Sequence, residues 1–102
     1  MKKILFLLAM LSFASPALAG PVPEYDIKAQ CSEVASFAGG SAVIELQCRK
    51  DEEAAKARLS KVNAPAGTMR TCHEIASSMG AGSYAILEQC IKDELAAKAQ
   101  LQ

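Results

Sequence analysis

The chain has 102 residues, 51% of them hydrophobic but only 5% aromatic and none tryptophan, and its eleven basic groups balance eleven acidic ones. Interspersed charges without net excess give no electrostatic footprint for nucleic acid or an anionic lipid surface, and so few aromatic rings argue against a deep small-molecule pocket. A single domain of this size is marginal on hydrophobic burial alone, and four cysteines offer the usual remedy of covalent staples.

The chain opens with Met1-Lys2-Lys3, an apolar run of eleven residues from Ile4 to Ala14, then Ser15-Pro16 and the small-residue triplet Ala17-Leu18-Ala19. This order of basic, apolar and small residues reads as a secretory signal peptide over 1–19, with cleavage predicted after Ala19. The apolar run is about half of the ~20 residues a helix needs to cross a bilayer, and no comparable run follows. No membrane anchor is therefore expected after cleavage, and the new start at Gly20 has no cysteine to acylate. Loss of Lys2 and Lys3 leaves nine basic against eleven acidic groups, a net charge of about −2. The expected location is periplasmic or secreted, an oxidising environment in which cysteines pair.

After an N-terminal extension over 20–25, the sequence states one design twice. Cys31 to Leu59 and Cys72 to Leu101 align with a single gap after Gly39, and eighteen of the twenty-nine residues recur, both cysteines included. The first unit spans 26–61 and the second 68–102, separated by a linker over 62–67 in which Pro65 forbids one continuous helix. In the first unit Ile27, Cys31, Val34, Ala35 and Ala38 fall at helical spacing, as do Cys72, Ile75, Ala76 and Met79 in the second. Gly39 and Gly80 then stand where a helix end favours a left-handed residue. Ser41 and Ser83 are the expected N-caps of the helices that follow, and Thr71 with Glu74 makes a possible capping box. Each unit therefore reads as a helical hairpin, and the fold class as all-α: two tandem hairpins packed as a small four-helix bundle.

Symmetry about the turns selects one of the three possible cysteine pairings. The midpoint of Cys31 and Cys48 falls between Gly39 and Gly40, and that of Cys72 and Cys90 falls on Ala81. Antiparallel helices set equidistant residues opposite each other, so Cys31 pairs with Cys48 and Cys72 with Cys90. Each bond closes a loop of about eighteen residues, worth roughly 3 kcal/mol of chain entropy.

The second and fourth helices outrun their partners, roughly 30 Å against about 18 Å. Their far halves carry Ala54, Ala55, Ala57 and Ala96, Ala97, Ala99, small side chains that permit close approach. These tails either pack on each other and close the bundle, or offer a flank to another subunit or partner.

Asp51 and its repeat Asp93 read as lying inside the apolar stripe, Asp51 with Ile44, Cys48, Ala55 and Leu59, where a carboxylate needs a partner. Symmetry about the turn sets Lys28 opposite Asp51 and Arg70 near Asp93, so two structural ion pairs at the open ends of the hairpins are expected, with solvent exposure the alternative. His73, with Ser32 as its counterpart, stands outside the repeated design and reads as a surface histidine, although Cys72 beside it admits a nucleophile or metal site. The spacings C-x16-C and C-x17-C lack the short paired knuckles of structural zinc, so no metal and no cofactor is expected. The sequence has no C-x-x-C, G-x-S-x-G, H-E-x-x-H or phosphate-binding glycine loop, and the amides at Gly39-Gly40-Ser41 are explained by a tight turn without any anion.

Elimination leaves a small exported non-enzymatic interaction module, of the kind that inhibitors, neutralising proteins and chaperones use, with an unknown protein partner or its own copies as ligand. The alternative functions are a redox-responsive or metal-handling protein that uses its cysteines, and a structural envelope component.

Overall fold

The computed structural model describes residues 20–102; the signal peptide read over 1–19 lies outside them. Four helices account for the described chain: α1 (Ile27–Phe37), α2 (Ala42–Leu59), α3 (Ala66–Ala76) and α4 (Tyr84–Leu101), with no strand among the described residues. The two hairpins are α1–α2 and α3–α4, each stapled as the symmetry argument requires: Cys31 to Cys48, Cα atoms 5.5 Å apart, and Cys72 to Cys90, 5.6 Å apart.

The helix ends follow local chemistry. Asp26 accepts a hydrogen bond from the Ala29 amide at 3.0 Å, Ser41 from Ile44 at 3.3 Å and Ser83 from Ile86 at 3.2 Å, so each side chain satisfies a first-turn N–H that has no intrahelical acceptor. At the end of α1 the Gly40 amide donates to Ala35 and the Gly39 amide to Ser36, a Schellman closure that requires Gly39 at φ 75°. The third helix departs from expectation. It begins at Ala66, directly after Pro65, so it absorbs the last two residues of the linker and leaves Thr71 and Glu74 in its interior rather than in a capping box. Proline costs nothing at a helix start because its missing N–H would have had no acceptor there.

Helix packing is sparse and ordered: α1 on α2, α3 on α4, and α2 on α4. The core lies between the far half of α2 and the second hairpin, where Ala55 and Leu59 meet Met69, Cys72, Ala76, Tyr84, Leu87 and Ile91. Full burial of Leu59, Leu87 and Ile91 contributes about 1.5–3 kcal/mol each. Tyr25 closes this core from outside; its backbone N–H donates to the Tyr84 hydroxyl at 2.9 Å, and the Gly20 amide donates to the Ala64 carbonyl at 2.9 Å. Residues 20–25 therefore form a strap across the second hairpin.

The long tails do not pack on each other. The far half of α2 lies along the first half of α4, whereas Ala96, Ala97 and Ala99 are exposed and Leu101 is 85% exposed. The physical reason is that Tyr84, Leu87 and Ile91 at the start of α4 offer more apolar surface to Ala55 and Leu59 than a row of alanines can.

Candidate functional site

A buried carboxylate joins the two hairpins. Glu52, 4% exposed, accepts hydrogen bonds from the Tyr84 amide at 2.7 Å, the Ser83 hydroxyl at 2.9 Å and the Ala85 amide at 3.2 Å. It thereby caps α4 from another helix and sets a negative charge at the positive end of the helix dipole. With Ser83 taking the Ile86 amide, every first-turn donor of α4 has an acceptor. Two turns along, the Arg58 guanidinium grips Glu88 through Nε at 2.6 Å and Nη2 at 2.9 Å. That bond, together with the nearby positive charge, holds the Glu88 carboxyl below the usual carboxylate range, against the opposing effect of burial.

The second polar cluster surrounds Tyr25. Its hydroxyl lies 2.8 Å from His73 Nδ1, the two rings are near-parallel at 13°, and the Tyr84 ring tilts against it with centroids 4.8 Å apart. Burial, then the neighbouring Tyr84 and Glu52, push the Tyr25 hydroxyl up to about 12. His73 is thus half-buried and engaged, not the free surface histidine expected. Lys56 sits 5.7 Å above the Tyr84 ring and 3.7 Å from Glu24, tying the strap to α2 as well.

The expected partners of the repeated aspartates are not brought together with them. Asp51 accepts from Gln47 Nε2 at 2.9 Å and Asp93 from Gln89 Nε2 at 2.9 Å, each an i,i+4 contact on an exposed face. Four ion pairs form among the described residues, Arg49–Glu45, Lys56–Glu24, Arg58–Glu88 and Lys92–Glu88, and neither Lys28 nor Arg70 takes part. Lys28 is exposed on α1, and Arg70 lines a shallow groove of about 390 Å³ beside Met69 and His73 under the strap. With water and a local glutamine at hand, each aspartate has no need of a distant cation.

The sequence reading missed Glu52. Measured from Cys48 at 100° per residue, Asp51 lies about 60° to one side of the stripe through Ala55 and Leu59, and Glu52 about 40° to the other. The smaller angle was the available signal. All four sulfurs are bonded, and Cys31 and Cys72 have no exposed surface. Among the described residues no helix is long and apolar enough to cross a membrane.

The turn ends carry the most exposed large apolar side chains. Phe37 at the end of α1 is 87% exposed and Met79 after α3 is 90% exposed, with Val34 and Ile75 partly open one turn earlier. The architecture so defined is a pair of disulfide-stapled helical hairpins joined through α2 and α4. Comparison with protein-family models, with curated proteins and with solved structures finds no match to this chain.

Proposed function

We propose that the protein is a small exported, non-enzymatic interaction module that offers the turn ends of its hairpins to a protein partner, with residues 1–19 acting as its signal peptide and the periplasm or cell exterior as its place of action. The observation that carries this reading is the exposure of Phe37 and Met79 at the two tips. Aromatic residues and methionine are enriched at protein interfaces, and a side chain held almost wholly in water contributes nothing to the fold beneath it. The staples support the same reading, since covalent loops stabilise the hairpins without drawing the tips into a core.

The test is capture from the native compartment with the wild-type chain and with a Phe37→Ser, Met79→Ser variant that keeps both disulfides. A specific protein held by the wild type and lost by the variant is the expected result. Equal retention by both, or repeated failure to capture any specific protein, would remove the tips as a binding surface.

A further inference from the structure

The contact that joins the hairpins uses one half of each, and because the hairpins are copies, the unused halves are on the surface. On the first hairpin the joining flank is Glu52, Ala55 and Leu59, all buried. Its repeat on the second hairpin is Glu94, Ala97 and Leu101, of which Ala97 and Leu101 are exposed and Glu94 is half-exposed. The receiving end on the second hairpin is Ser83, Tyr84 and Ala85, followed by Leu87, Glu88 and Ile91. Its repeat on the first hairpin is Ser41, Ala42 and Val43, followed by Glu45, Leu46 and Arg49.

Both unused halves have the form of open grooves. One, of about 650 Å³, lies along α3 and α4 and includes Ile75, Ile86, Glu94 and Ala97; the other, of about 320 Å³, is lined by Ala42, Glu45, Leu46 and Arg49. In the joined copy, Glu52 takes the Tyr84 and Ala85 amides and the Ser83 hydroxyl. In the unused copy, the Ala42 and Val43 amides and the Ser41 hydroxyl proton find no acceptor among the described residues, while Ser41 already caps Ile44 as Ser83 caps Ile86. The carboxylate that fits them, by repeat position and by charge at a helix N-terminus, is Glu94.

We infer that the protein associates head to tail with a second copy of itself, the α4 flank of one copy docking at the start of α2 in the next as the α2 flank docks at the start of α4 within each chain. The contact is heterologous, so a pair still has one free flank and one free receiving end, on different copies, and growth continues beyond it. The displacement per step is read from the internal joint: Glu52 meets Tyr84, whose counterpart is Ala42, and Arg58 meets Glu88, whose counterpart is Leu46. Each hairpin is therefore advanced on the last by ten to twelve residues, roughly 15–18 Å of helix. Where the internal joint buries Tyr84, Leu87 and Ile91, the free receiving end has Ala42, Glu45 and Arg49, and the Arg58 to Glu88 grip becomes Gln100 beside Leu46. The contact between copies is therefore weaker and more polar than the one within each. This inference uses the flanks rather than the tips and stands apart from the tip-binding reading.

The test is sedimentation of the full chain, expressed for export, recovered with intact disulfides and titrated to about 1 mM, a range that registers weak contacts of the smallest interface class. Two substitutions at exposed positions divide the contact. Ala97→Asp disables the flank and keeps the receiving end; Val43→Asp places a charge against the incoming Glu94, at a helix start that tolerates an acid, and keeps the flank. Wild-type mass should rise with concentration past that of a dimer, each variant alone should stay monomeric, and an equimolar mixture of the two should stop at a one-to-one pair. A wild type that stays monomeric throughout, variants that associate like the wild type, or a mixture that stays monomeric would each overturn the proposal. A foreign protein that is lost with Ala97→Asp, in the absence of wild-type self-association, would assign the flank to another partner and overturn it equally.

Discussion

Replacing Glu52 by alanine tests whether one carboxylate holds the two hairpins together. The substitution leaves the Tyr84 and Ala85 amides and the Ser83 hydroxyl without their acceptor in a site that is 4% exposed. A buried donor without a partner costs about 1–3 kcal/mol, and loss of the negative charge at the start of α4 removes about 0.3–1 kcal/mol more. Water entering the vacated space restores part of this, so the expected loss is about 3 kcal/mol, or roughly 12–24 °C in the thermal midpoint of a domain this small. Glu52→Gln keeps one acceptor oxygen but turns an NH2 toward N–H donors, and should lose about half as much. The control is built into the chain: Glu94→Ala removes the same residue from the repeat where it is half-exposed, and should stay within about 0.5 kcal/mol of wild type. The assay is urea unfolding at neutral pH with both disulfides intact, at micromolar protein so that association does not contribute. If Glu52→Ala and Glu94→Ala proved equally mild, Glu52 would not be the joint between the hairpins.

The other expectations concern staples, turns and pH. Replacing Cys72 and Cys90 together by serine should cost more than the same change at Cys31 and Cys48: each staple is worth roughly 3 kcal/mol by loop entropy, but Cys72 also belongs to the main core whereas Cys31 does not; comparing thermal midpoints of the two double variants checks it. Gly82 stands at φ 103°, and a Cβ there would overlap the Tyr25 ring, whereas Gly39 at φ 75° faces open space. Gly82→Ala should therefore destabilise by more than Gly39→Ala, whose cost is the left-handed backbone alone, about 1 kcal/mol, as read by chemical unfolding. Tyr25 keeps its proton in the folded chain up to about 12 against 10.0 for an ordinary tyrosine. Between those values the unfolded chain loses a proton that the folded chain retains, so stability is full below 10 and falls as pH rises toward 12. Unfolding midpoints measured over that range should slope downward in the wild type and more gently in Tyr25→Phe; equal slopes would dissociate the tyrosine from the alkaline limit.

The disulfide pairing was legible because duplication gave two measurements of one geometry, with each cysteine pair symmetric about its own glycine turn. The caps at Ser41 and Ser83 were legible because capping is local chemistry. What was not legible arises where the hairpins meet. Asp51 and Glu52 flank the same stripe, and only the arrival of Ser83 and Tyr84 on one side decides which carboxylate is buried. The alanine-rich tails look equivalent in sequence, yet Ala55 and Leu59 are buried where Ala97 and Leu101 are exposed, because Tyr84, Leu87 and Ile91 replace Ala42, Glu45 and Arg49 at a single end of the duplication. The start of α3 lies inside the expected linker because Pro65 blocks only a helix that precedes it, so Ala66 and Gly67 join the helix that follows. His73 has no counterpart in the first repeat and was set aside for that reason; its partner Tyr25 lies outside both repeats, where the internal comparison has no reach.

Each disulfide joins a cysteine to the next one in the chain, 31 to 48 and 72 to 90, and neither loop encloses or crosses the other. A polypeptide entering an oxidising compartment from its N-terminus presents Cys48 while Cys72 is still to come, so the first bond can close before any wrong partner is within reach. The second pair then meets only itself. For a chain exported in that way, native connectivity would follow from order of arrival and would need no reshuffling by a disulfide isomerase. Refolding from the fully reduced chain, with all four thiols present at once, should be slower and more error-prone than synthesis.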